Sequence, residues 1–171
     1  MKGDFLVPLL YFLCYVPFMF KKLGQNISTG IKKVIKGATE EKSELTQDLP
    51  YDKIGGEKGI ETLVTRFYHH MDTLDSAKQC RDLHGKSLDS AAQKLKMFLS
   101  GWLGGPSLYI QKYGHPRMRK RHFPFAIGTL ERDQWLLCMR EAMNDMKLEP
   151  EFDHYLWQAF RRFAEHMRNR D

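Results

Sequence analysis

Nowhere in the chain do apolar and polar residues alternate with the period of two that a half-buried strand requires, which argues against a sheet protein. Cysteine is scarce: Cys14, Cys80 and Cys138 make an odd count with no paired spacing, so neither a disulfide framework nor a zinc knuckle is indicated, and a reducing compartment fits best. Charge of one sign never accumulates into a tail. The net charge of +6 is spread out, with 7 basic against 5 acidic residues in 1–50 and 20 against 16 in the remainder, a mild bias that leaves nucleic-acid binding poorly supported. No flavin or nicotinamide domain is visible, so sustained redox turnover would need an external reductase. Finally, no small-residue cleavage site follows the first apolar run, which makes a cleaved signal peptide the least favoured account of it.

That run, Phe5 to Phe20, is apolar or aromatic throughout and is followed by Lys21 and Lys22. Sixteen residues of helix rise about 24 Å against a hydrocarbon core of about 30 Å, and Pro8 and Pro17 would disturb the helix. A signal anchor, a segment lying in the bilayer interface, and an extension without structural consequence all remain open. Lysines 21, 22, 32, 33 and 36 would keep the following chain on the cytoplasmic side. The expected organisation is an apolar segment over 1–22, with membrane contact through residues 5–20 left open, a polar linker over 23–50, and a cytoplasmic domain over 51–171.

Within that domain the apolar residues recur at helical spacing. Gly55-Gly56 precedes a stripe of Ile60, Leu63, Val64, Phe67, Tyr68 and Met71, with His69 and His70 off it and solvated. After an irregular stretch from Cys80 to Ser87 comes a second stripe: Leu88, Ala91, Leu95, Phe98, Leu99 and Trp102. Gly104-Gly105-Pro106 ends it. Thr129 is a plausible N-cap for a third helix burying Trp135, Cys138, Met139, Ala142, Met143 and Met146. Pro150 opens a fourth with Phe152, Tyr155, Leu156, Ala159, Phe160, Phe163 and Met167 inside. The domain therefore reads as all-α, and an aromatic share of 12% would let four amphipathic helices enclose a large flat ligand or simply pack together.

Between the second and third helices, residues 114–128 pack four basic residues and two histidines against an apolar run of Phe123, Pro124, Phe125, Ala126 and Ile127. Pro116 suits the first turn of a short helix of about seven residues and Pro124 cannot prolong it, so His122 projects from the last turn. There its Nδ1 proton can go to a backbone carbonyl one turn earlier, leaving Nε2 as a neutral iron ligand. On chemistry alone, a hydrogen-bonded boundary histidine is the commoner outcome. Arg117, Arg119, Lys120 and Arg121 would suit the carboxylates of a bound macrocycle, or else the phosphates of a nucleic acid, a rival that leaves His122 and the aromatic runs unexplained.

Several runs, in order and at matching separation, resemble the second group of truncated haemoglobins over residues 51–168: Gly55-Gly56, Arg66-Phe67-Tyr68, the block from Phe98 to Pro106, Tyr113-Gly114-His115-Pro116, the block from Arg121 to Phe125, and the block from Asp133 to Met139. The resemblance implies a globin fold reduced to a two-over-two helical sandwich around haem b, with His122 as the proximal histidine and metal ligand. Tyr68 matches the distal tyrosine, and Trp135 the tryptophan whose indole N–H reaches the same ligand. Tyr109 and Arg121 align with residues that contact the haem propionates, and Phe98 and Phe125 lie in matched runs against the cofactor. His84 falls where the family has phenylalanine, tyrosine or histidine beside the distal pocket; a third polar contact, packing, or a sixth iron ligand are all open. Ala91 and Leu95 occupy distal positions and are too apolar to add a hydrogen bond. Reversible binding of O2, NO and CO, with slow release, is the implied function. Nitric oxide dioxygenation or peroxidase-like turnover at the same iron is the alternative.

Overall fold

The computed structural model describes residues 49–171, which fall in the compact unit Thr46–Asp171. The apolar segment 5–20 and nearly all of the linker lie outside the described residues. Among the described residues no helix is long and apolar enough to cross a membrane, and no strand occurs.

Among the described residues eight α-helices follow one another: α1 Pro50–Lys53, α2 Gly56–Thr73, α3 Lys78–Asp82, α4 Asp89–Trp102, α5 Leu108–Tyr113, α6 Met118–His122, α7 Thr129–Met146 and α8 Pro150–Met167, with a 3-10 turn at Asp75–Ala77. The first described helix starts at Pro50, which supplies a first-turn φ, and Tyr51 N–H donates to the Leu103 carbonyl at 2.9 Å, tying α1 to the end of α4. The long helices pair as α2 with α4 and α7 with α8, and α2 also packs along α7, which is the expected two-over-two arrangement. The predicted stripes explain why. Ile60, Leu63, Val64, Phe67 and Met71 of α2 close against Cys138, Met139, Ala142 and Met143 of α7 and Leu156 and Phe160 of α8, all nearly inaccessible to water. Each of the Val, Leu, Ile, Phe and Met side chains among them contributes about 1.5–3 kcal/mol by leaving water.

Four local expectations are corrected. α7 is capped by Gly128 rather than Thr129, with the Gly128 N–H donating to Glu131 Oε2 at 2.8 Å, so Thr129 is the first helical residue. Tyr155 points outward at 41% exposure, since Phe152 and Leu156 already occupy the buried face of α8. His70 is not free in solvent: its Nε2 lies 2.9 Å from Asp145 Oδ2, beside Arg66 at 3.1 Å from the same oxygen, joining α2 to α7. And the irregular stretch around Cys80 contains α3, too short for its periodicity to be seen. α5 was likewise too short to read from spacing.

Candidate functional site

α6 is five residues long rather than seven. Arg117 adopts a left-handed conformation (φ 41°) as its N-cap, and the Arg117 N–H donates to His115 Nδ1 at 3.2 Å, so Pro116 stands outside the helix. His122 ends α6, and its Nδ1 donates to the Met118 carbonyl at 2.7 Å, one turn back. A carbonyl can only accept, so Nδ1 carries the proton and Nε2 of the neutral ring carries the lone pair. A half-buried imidazole with this tautomer locked is the donor that haem iron takes, and so the residue present fits the group.

The other predicted residues form a nearly continuous aromatic wall. Tyr68 on α2 meets His84 edge-on at 5.9 Å and Phe67 at 4.8 Å between ring centroids. Phe67 lies 5.2 Å from Trp135 on α7, which lies 6.1 Å from Phe163 on α8. Phe163 stands 5.5 Å from Phe98 on α4, and Phe98 6.4 Å from Tyr109 on α5. The Arg121 guanidinium sits 5.8 Å from the Tyr109 ring centre and its Nε donates to the Pro116 carbonyl, leaving the guanidinium exposed and able to meet a carboxylate. Leu95 is half-buried against the core. Phe125 does not join this wall: it is 42% exposed and makes no ring contact among the described residues. Neither the Tyr68 hydroxyl nor the Trp135 indole N–H donates to a protein acceptor among the described residues.

His84 has a defined chemistry. Its Nδ1 donates to the Cys80 carbonyl at 3.0 Å, which makes Nε2 an acceptor. Burial lowers its pKa, partly offset by that hydrogen bond, and the nearby Arg81 charge lowers it further, so the neutral ring predominates at pH 7. In this state His84 can accept a hydrogen bond or offer a lone pair to a metal, but cannot donate from Nε2.

Behind Tyr68 lie two buried thiols. Gln134, which sequence spacing did not single out because it stands one residue off the apolar stripe, accepts the Cys80 N–H at 2.8 Å and donates to Gln79, fastening α3 to α7. Burial pushes the Cys80 thiol from 9.0 up to about 12, with Cys138 and Glu131 adding to it, and pushes Cys138 from 9.0 up to about 11. Burial also raises the Tyr68 phenol above its usual 10.0. Each group binds its proton more tightly folded than unfolded, so above pH 9 the unfolded chain releases protons that the folded chain retains, and stability falls as pH rises. The thermal midpoint is therefore expected to hold to about pH 9 and decline through pH 11. Cys80→Ala with Cys138→Ala should flatten the early part of the decline in a calorimetric pH series.

Comparison with known proteins places this arrangement. The family model described as bacterial-like globin matches residues 50–169. The group 2 truncated hemoglobin YjbI of Bacillus subtilis (strain 168) is 38% identical over 120 residues, covering 70% of this chain and 88% of that protein. Among solved structures, the cold-adapted truncated hemoglobin of the Antarctic marine bacterium Pseudoalteromonas haloplanktis TAC125 is 43% identical with a TM-score of 0.70, covering 72% of this chain and 99% of that one. The truncated oxygen-avid haemoglobin of Bacillus subtilis is 38% identical with a TM-score of 0.65, covering 71% and 99%. With its all-helical two-over-two core, its matched residues and these relatives, the chain belongs to the bacterial-like globins, as a truncated haemoglobin of the second group that holds haem and binds diatomic gas through it.

Proposed function

We propose that the chain binds oxygen through haem b anchored by His122, and that Tyr68 and Trp135 hold the gas long enough to make release slow. When bound, haem would supply a ferrous iron able to take one nitrogen from the protein and one diatomic ligand. His122 offers Nε2, with its ring plane set by the bond to the Met118 carbonyl. Tyr68 and Trp135 flank the same ring of Phe67, at 4.8 Å and 5.2 Å, and both keep their protons for a ligand because no protein acceptor among the described residues takes them. That pair of uncommitted donors is the observation that carries slow release. Leu95 and Ala91 add no polar group, and His84 with its Nδ1 proton committed can only accept; a ligand therefore finds its donors at Tyr68 and Trp135. The raised phenol pKa keeps Tyr68 a donor across the physiological range. Tyr109 and Arg121 would face the propionates. NO and CO fit the same site by size and chemistry.

Two donors to one small ligand suit storage, sensing or redox use better than delivery, because each slows release about tenfold to a hundredfold. The test is a stopped-flow measurement of oxygen release from the ferrous protein. Release as fast as from a donor-free pocket would reject the proposal. Mixing the oxygenated protein with nitric oxide and assaying nitrate separates a binding role from dioxygenation, which would draw its electrons from an external reductase.

A further inference from the structure

α6 is too short to hold its own position. Five residues fall below the length at which a helix propagates, and its final carbonyls have no partner within the helix. None of its residues is fully buried, and α8 is the long helix against which it packs. Something outside α6 must therefore fix where His122 stands.

We infer that Asn169, just beyond α8, is that positioning residue: its side-chain amide clamps the segment that carries His122. Asn169 Nδ2 donates to the His122 carbonyl and to the Phe125 carbonyl, each at 3.0 Å. Its Oδ1 accepts the Ile127 N–H at 3.2 Å, and its own N–H donates to the Ile127 carbonyl at 2.9 Å. The orientation of the amide is unambiguous, since two carbonyls need a donor and one N–H needs an acceptor. The His122 carbonyl also receives the Phe125 N–H at 3.0 Å, so the last residue of α6 and the loop after it are closed on a single side chain. Arg119 adds a second tie from α6 to α8 by donating to the His166 carbonyl. With Nδ1 held by Met118 and the backbone by Asn169, ring plane and ring position are both set before any ligand arrives. This rests on His122 being the iron ligand.

The experiment compares holoprotein carrying Asn169→Ala, Asn169→Ser and Arg168→Ala with wild type, reading the iron–histidine stretching band of the ligand-free ferrous form by resonance Raman and the rate of haem transfer to excess apomyoglobin. Asn169→Ala is expected to move or broaden the band and to speed haem transfer about tenfold, as all three side-chain hydrogen bonds are lost. Serine, able to donate to one carbonyl, should give an intermediate effect, and it carries the test should the alanine variant fail to fold. Arg168→Ala removes bonds of the same segment to Thr129 at 3.2 Å and Glu165 at 3.1 Å, and should lower the thermal midpoint while leaving the band in place. An unmoved band and unchanged transfer in both Asn169 variants would overturn the clamp while leaving the ligand assignment intact, as would an equal band shift in Arg168→Ala. A wild-type protein with no iron–histidine band would overturn the ligand assignment and the clamp with it.

Discussion

His122→Ala, expressed with ample haem and purified, is expected to lose the absorption bands of the bound cofactor or to retain haem only weakly. Removing groups that merely orient a metal ligand costs about 10-fold to 100-fold in metal affinity, and removing the ligand itself should exceed that. The fold should survive, because α6 buries no residue fully and the core of α2, α4, α7 and α8 does not draw on it. The thermal midpoint of the apoprotein should therefore stay near that of wild type while haem titration shows the loss. Imidazole added to His122→Gly should restore part of the spectrum by supplying the missing nitrogen. Undiminished haem binding in the alanine variant would mean that another side chain holds the iron, and His84, whose Nε2 carries a free lone pair, would be the first to examine. A low-spin spectrum of the ligand-free ferrous wild type would show that His84 already coordinates.

The second large effect concerns release. Tyr68→Phe keeps the ring against Phe67 and His84 and deletes only the hydroxyl, so its effect reads a single donor. Oxygen should leave about tenfold to a hundredfold faster, corresponding to the 1.5–3 kcal/mol of a hydrogen bond to a charged acceptor. Trp135→Phe should act in the same direction. The indole also packs near Phe160 at 5.9 Å and Phe163 at 6.1 Å, so a smaller ring would loosen those contacts as well. Because Tyr68 and Trp135 share Phe67 as a neighbour, the double variant should depart from the product of the singles. Unaltered release in both single variants would show that neither side chain donates to the gas.

The buried face of α2 was legible residue by residue, because Ile60, Leu63, Val64, Phe67 and Met71 repeat at three and four and nothing else about them varies. The bond from His122 to a carbonyl one turn earlier could be anticipated for a similar reason: it spans four residues of one helix, and Pro116 and Pro124 bracket that helix. α3 and α5 were not legible, because each is shorter than the two turns over which a helical repeat shows. Gln134 was missed because its partners, Cys80 and Gln79, lie more than fifty positions away.

Local spacing along one chain is thus enough to specify amphipathic helices, their breaks, and a histidine poised at the end of a short one, since each depends on neighbours within a turn or two. The aromatic wall from Tyr68 to Tyr109 and the amide of Asn169 against the His122 carbonyl were decided only when distant segments met. Hydrogen bonds and ring contacts act over a few ångströms and carry no periodic mark in the sequence, so packing alone could bring these groups into register.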